Sequence, residues 1–179
     1  MATPTLRQVA TAELTPGERV RLRAMLDVAF EGFLSDEDWD HALGGTHVLV
    51  EVEDLVVTHA SVVPRRLELP DRALHTGYVE AVATHPLFQR RGYAAAAMQR
   101  IGGVIQDNYD IGALSTAIPS FYVKLGWERW RGMTFVNVPE GRLRTEEDDD
   151  GVLVMRTPRT GSIDLAAPIT CDHRFGDVW

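Results

Sequence analysis

The sequence predicts an α/β protein whose mixed, mostly antiparallel central sheet is flanked by helices, and it predicts one domain spanning residues 1–179. Three observations carry this expectation. Apolar residues recur at helical spacing near the start, β-rich runs joined by tight turns fill the middle, and a strand leads through a short loop into an alanine-rich helix followed by another strand. That last passage is expected to be a parallel crossover, whereas strands joined by tight turns are expected to be antiparallel.

The elements follow in order. Thr15-Pro16-Gly17-Glu18 reads as a helix start, with Thr15 as cap, Pro16 at the first helical position and Glu18 closing a capping box. The helix is expected to run on through Val20, Leu22, Met25, Leu26 and Phe30 as its apolar face. Ser35-Asp36-Glu37-Asp38 opens a shorter helix that Gly44-Gly45 ends. His47–Val52 and Leu55–Val63 read as strands about the turn Glu53-Asp54, with Arg65–Leu69 as a possible extension. Ala73–Ala83 reads as a strand, Gly92–Gln106 as a helix, Ile111–Ser115 as a strand and Phe121–Leu125 as a short helix. Trp127–Trp130, Met133–Val138 and Val152–Arg156 are later strand candidates, the acidic run Glu146–Asp150 a loop, and Thr157–Trp179 a tail with little periodicity.

Composition narrows the function. Hydrophobic residues make up 45% of the chain and charged residues 25%, as in a soluble globular protein. No apolar run approaches the ~20 residues that cross a bilayer, and Met1–Arg7 lacks a signal-peptide core, so no membrane partner and a cytoplasmic location are expected. The single cysteine, Cys171, allows no intrachain disulfide and fits a reducing compartment. His41, His47, His59, His75, His85 and His173 are scattered without metal-ligand spacing, so no metal is expected. The net charge of −8 opposes nucleic-acid binding and favours a small cationic partner.

The most informative passage is Tyr78–Pro86 followed by Gln89-Arg90-Arg91-Gly92-Tyr93-Ala94. A strand enters a helix whose first turn exposes unpaired N–H groups and partial positive charge, which suits a diphosphate. Gly92 lets an anion approach the backbone, and Arg90 and Arg91 add cations in a chain of opposite sign. The hexamer alone also reads as an ordinary strand–loop–helix turn with solvated arginines. A second feature, Phe121-Tyr122-Val123-Lys124-Leu125-Gly126-Trp127, favours the functional alternative.

Together these segments resemble the GNAT superfamily of N-acetyltransferases, whose signature is Gln/Arg-x-x-Gly-x-Gly/Ala. The resemblance implies a GNAT fold and acetyl-CoA as co-substrate. The backbone of Gln89, Arg90, Arg91, Gly92, Tyr93 and Ala94 would hold the pyrophosphate. Val82, Ala83 and Thr84, on a strand that splays from its neighbour, would hold the pantetheine arm and polarise the thioester. GNAT enzymes often form homodimers, which sets that expectation here.

Asp38–His47, Gly77–Val82, Gly112–Ser115 and Cys171–Trp179 further resemble the aminoglycoside 2′-N-acetyltransferases, a likeness that spans nearly the whole chain. It implies Glu80 as general base through water and Tyr122 as the acid toward the departing thiolate. Ser115, Asp177, the Trp179 carboxylate and an acid of Asp148–Asp150, either Asp149 or Asp150, would bind an amino sugar, although that acidic run also reads as a solvated loop. Two departures bear on the acceptor. Phe33 stands where relatives often carry an aspartate, and the stretch between Ser115 and Tyr122 is shorter. They direct the expectation toward a less cationic aminocyclitol such as kasugamycin, with the classical aminoglycosides as the alternative. Acetylation of another small amine or a peptide N-terminus, and a binding module without turnover, are the remaining alternatives.

Overall fold

The computed structural model describes residues 3–179; Met1 and Ala2, the start of the segment read for a signal peptide, lie outside the described residues. The chain divides into two compact units, residues 1–63 with 79–101, and residues 64–78 with 102–179.

In the first unit, the capping box at Thr15 starts helix α1 (Pro16–Ala29): Glu18 N–H donates to Thr15 Oγ1 at 3.3 Å and Thr15 N–H to Glu18 at 2.9 Å. Leu22, Met25 and Leu26 form the buried face and pack with Val9, Leu14, Leu34 and Leu49. Val20 is 70% exposed, contrary to the face expected from sequence. It lies two residues before Leu22, which on a helix of 3.6 residues per turn turns it to the far side. Ser35 caps α2 (Asp36–His41) reciprocally with Asp38, both bonds being 3.0 Å.

Strand β1 (Thr5–Ala10) pairs antiparallel with β2 (Thr46–Val52), which pairs antiparallel with β3 (Leu55–Leu69). Glu53 and Asp54 join β2 to β3 with φ of 50° and 63°, the left-handed geometry of a tight hairpin turn. Strand β1 was not legible in the sequence, because among its residues only Val9 is buried. The extension of β3 through Leu69 is real, giving one 15-residue strand. That strand, β4 (Arg72–Thr84) and α3 (Tyr93–Asn108) run through both units.

The second unit carries the strand order β6-β9-β5-β4-β3-β10-β7-β8. Its further elements are β5 (Ile111–Ser115), α4 (Pro119–Val123), β6 (Glu128–Arg129), β7 (Thr134–Val138), β8 (Gly141–Arg144), β9 (Val152–Arg156) and β10 (Ile169–Asp172). The crossover is as expected: β4 and β5 are parallel, with Thr76↔Ile111 and Tyr78↔Ala113 in register. Gly77 and Gly112 let α3 close on this pair, since a Cβ on Gly77 would meet the Tyr109 ring at 2.7 Å and one on Gly112 would meet Ile105 at 3.1 Å. Strand β10 lies within the tail read as aperiodic. Ile169, Thr170 and Cys171 are all buried, so no alternation marks it.

Gly45 and Gly103 test the packing in opposite directions. A Cβ on Gly45 would meet Val62 O at 2.0 Å, whereas one on Gly103 meets nothing within 4 Å. Gly45→Ala is expected to lower stability by ~3 kcal/mol through forced backbone movement. Gly103→Ala, inside α3, is expected to raise it by ~0.5–1 kcal/mol through helix propensity. Urea denaturation of the two variants measures both signs.

Candidate active site

Strand β4 departs from regular geometry where the sequence places its candidates. Ala81 has φ +48°, an unfavourable conformation for a residue with a Cβ. Side chains of β3 hold the backbone there. His59 Nδ1 lies 2.7 Å from Ala81 O, and Ser61 Oγ–H donates to Glu80 O at 3.3 Å. Thr58 and Thr84 bond through their hydroxyls at 2.9 Å. Glu80, Val82, Ala83 and Thr84 are half-buried, so this stretch is partly open to solvent.

The loop after β4 is held locally. Pro86–Phe88 forms one 3-10 turn, with His85 Nδ1 accepting from Leu87 N–H at 3.3 Å. Gln89 Nε2–H donates to Thr84 O at 3.3 Å. Arg90 and Gly92 both take left-handed backbone, φ +59° and +82°, just before α3 begins at Tyr93. A Cβ on Gly92 would meet no atom within 4 Å, so the space over the first turn of this 16-residue helix is open. The first-turn N–H groups lie at the positive end of the helix dipole, the arrangement a diphosphate needs. Arg91 donates to Leu87 O at 3.0 Å and sits over the Phe88 ring at 5.1 Å, so it braces the loop.

In the second unit, Pro119 starts α4 and Tyr122 is its buried residue. Its ring meets Phe121 and Trp127 edge-on, at 4.9 Å and 6.3 Å between centroids. Gly126, φ +91°, turns the chain so that Trp127 N–H reaches Tyr122 O at 3.2 Å. Burial pushes the Tyr122 hydroxyl up to about 12, so it stays protonated across the working pH range.

A cavity of about 390 Å³ in this unit is lined by Ser115, Arg129, Glu147, Asp148 and Asp150 among others. The structure separates the two acids that the sequence left as alternatives. Asp149 forms a bidentate ion pair with Arg144 and accepts from Thr134 N–H and Oγ1–H, both at 2.9 Å. Arg144 and Thr134 hold its carboxyl down at about 2. Asp149 is thus committed to the protein, and Asp150 lines the cavity. Asp148, which sequence reasoning did not single out, lines it too. Burial first, then the charges of Asp177, Glu147 and Asp149, raise its carboxyl to about 6.

The C-terminal residues are anchored in the same unit. Trp179 is 4% exposed, and its Nε1–H donates to Thr145 Oγ1 at 3.0 Å. That hydroxyl donates to Thr134 Oγ1 at 2.8 Å, the group that also meets Asp149. Arg174 Nε–H donates to Asp177 O at 2.7 Å. Phe33, in the first unit, follows α1 and is 85% exposed. Cys171 is buried on β10, where burial first pushes its thiol up to about 11.

The mixed sheet, the open glycine before α3 and the buried tyrosine of α4 point to a class. Residues 11–130 match the acetyltransferase (GNAT) domain, and the chain belongs to that family of acetyltransferases. It is 43% identical to the aminoglycoside 2′-N-acetyltransferase of Mycolicibacterium fortuitum, over 98% of this chain and 92% of that one. A GNAT family N-acetyltransferase from Escherichia coli, solved in complex with CoA, matches with TM-score 0.68 at 14% identity, covering 98% and 95% of the two chains. A GCN5-related N-acetyltransferase from Kribbella flavida matches with TM-score 0.60 at 24% identity over 73% of this chain, which spans 34% of that one. These structural likenesses are of fold.

Asp148 gives the site a pH signature. Its carboxyl holds a proton more tightly folded, at about 6, than at its ordinary 3.8. It therefore favours folding at low pH, and this contribution is lost as pH rises through about 6. Asp148→Asn is expected to raise Tm at pH 8 and to leave it nearly unchanged at pH 4. Thermal denaturation at the two pH values checks this, and equal shifts at both would contradict it.

Proposed function

We propose that this acetyltransferase moves an acetyl group from acetyl-CoA to the 2′-amino group of an aminoglycoside-type antibiotic. The observation that carries the acceptor class is the Ser115 cavity, where Glu147, Asp148 and Asp150 supply negative charge and Asp177 adds its field. A polycationic or dicationic amino sugar is the electrostatic complement. The 43% identical relative from Mycolicibacterium fortuitum, an aminoglycoside 2′-N-acetyltransferase, supports the same class.

The residues of the first unit suit coenzyme A. The open backbone at Gly92 and the start of α3 receive the diphosphate, with Arg90 and Tyr93-Ala94 beside it. Val82, Ala83 and Thr84 present the half-exposed backbone to which the pantetheine arm is assigned. Coenzyme A supplies the activated acyl group as a thioester.

The chain's own residues handle the protons. Glu80 accepts the proton of the acceptor ammonium through water, which frees the amine lone pair. The N–C bond forms and the carbonyl oxygen takes up negative charge toward an N–H donor; as that charge returns, the C–S bond breaks, and the second nitrogen proton passes through water to the departing thiolate, leaving amide and thiol. Tyr122 acts toward sulfur as a hydrogen-bond donor. With its hydroxyl at about 12, full transfer to a thiolate of ordinary affinity, pKa ~8.5, is uphill. Its contribution is therefore expected at the small end for an acid–base group.

For the acceptor, Phe33 offers a ring, and Ser115, Asp150, Asp177 and the Trp179 carboxylate are the assigned contacts. An acceptor with fewer ammonium groups, of which kasugamycin is the candidate, is proposed as preferred over gentamicin or tobramycin.

Gly92→Asp is expected to abolish stabilisation by acetyl-CoA in thermal-shift measurements, because it brings a like charge and a strained backbone to the diphosphate seat. Tyr122→Phe is expected to keep that stabilisation and lower kcat by ~100-fold, the small end for an acid–base group. Wild-type binding by the first variant, or full turnover by the second, would contradict these roles. Because Trp179 is buried, the acceptor charges are best tested without truncation. Asp150→Asn is expected to raise acceptor KM about tenfold with kcat little changed. Values of kcat/KM for kasugamycin, gentamicin and tobramycin, with NMR to locate the acetyl group, test the substrate. Phe33→Asp is expected to move the ratio toward the polycationic drugs, and acetylation elsewhere than the 2′ position would overturn the acceptor.

A further inference from the structure

Two histidines that the acid–base chemistry does not use lie in the interior of the first unit. His47 and His59 are both fully buried. His59 Nδ1 is 2.7 Å from Ala81 O. A carbonyl only accepts, so His59 Nδ1 carries the hydrogen. In the neutral ring Nε2 is then an acceptor, and it lies 2.9 Å from His47 Nδ1, which must donate. His47 Nε2 is left to accept from Thr11 Oγ1–H at 2.7 Å. The Thr11 oxygen is itself held by Gly44 N–H and Gly45 N–H at 2.9 Å and 3.1 Å, with Gly45 O at 3.1 Å as a weaker second outlet for its proton.

Every ring nitrogen in this chain has a fixed role, and all the bonds run one way, toward Ala81 O. Charging His59 would set its Nε2–H against His47 Nδ1–H, two donors face to face, and charging His47 would push the Thr11 proton onto the weaker Gly45 O outlet. Burial keeps both neutral, His47 at about 4, where the charge of Arg19 also acts, and His59 at about 3, where His47 adds to the effect. A device of this kind holds geometry and moves no proton.

What it holds is the irregular turn of β4. The Ala81 carbonyl is bound by a side chain at the residue whose φ is +48°, and its neighbour Glu80 O is bound by Ser61. We infer that His59, locked by His47 and Thr11, is a positioning residue for acetyl transfer: it fixes the left-handed Ala81 backbone and thereby aims Glu80 before it and the Val82 backbone after it. This rests on the roles proposed above for Glu80 and Val82.

The test compares His59→Leu with His59→Asn. Leucine fills the space without a donor, and the asparagine amide nitrogen takes the place of Nδ1–H. His59→Leu is expected to lower kcat by ~10–100-fold, the scale of a small misplacement of reacting groups. His59→Asn is expected to recover most of that loss although an amide is the poorer fit to a buried site. A purely packing role predicts the reverse order, so leucine performing as well as or better than asparagine overturns the inference. The histidine ring 15N spectra of the wild type are expected to show His59 as the Nδ1–H tautomer from pH 5 to 8. An Nε2–H tautomer, or titration within that range, also overturns it. Should His59→Leu not fold, His47→Leu and His47→Asn make the same comparison, because only the amide can keep a donor facing His59 Nε2. Backbone amide shifts of Ala81 and Val82 in the variants need no substrate. Unchanged shifts in the leucine variants refute the inference, whatever the acceptor proves to be.

Discussion

The first unit depends on one constraint: the carbonyls of Glu80 and Ala81 must be satisfied although β4 leaves regular geometry between them. A buried carbonyl without a partner costs about as much as a lost hydrogen bond, ~1–3 kcal/mol. Strand β3 meets that demand with Ser61 and His59, and His59 is fixed in turn by His47 and the Thr11 turn. The Thr11–His47 region thus bears on β4 through a line of hydrogen bonds, with α1 packed against the same core. A strained residue persists only where its surroundings determine it fully, and this one has partners of fixed direction.

The second unit solves a different problem, that of holding several carboxylates close together. Asp149 is neutralised by Arg144 and bonded to Thr134, and it serves the scaffold that seats Trp179. Asp148 receives no such cation and carries a raised pKa. Two adjacent residues of one type therefore have carboxyls at about 2 and about 6. Asp148 lines the cavity, and the ion pair of Asp149 ties the loop to Thr134 and Arg144.

Much of this was legible in the sequence because it is local. The Thr15 and Ser35 capping boxes, the Glu53-Asp54 hairpin and the crossover through α3 depend on residues a few positions apart, whose spacing is set by helix and strand periods. The Gln89–Ala94 loop is local too, and the open backbone at Gly92 is what a glycine before a helix start implies. The family likeness followed from these short segments and from the C-terminal residues, and the 43% identical relative agrees with it.

Tertiary structure decided what depends on distant partners. Strands β1 and β10 exist because they are paired, β1 along β2 and β10 between β3 and β7, and neither has an alternating pattern of its own. Arg144 and Thr134 bind Asp149 while Asp150 lines a cavity, a difference that three successive aspartates cannot reveal. His47 and His59, scattered histidines in the sequence, became an oriented pair because adjacent strands bring residues twelve positions apart to 2.9 Å. Sequence spacing determines the periodic elements and their caps; the ionisation and tautomer of a buried side chain are set by whichever groups the folded sheet places beside it.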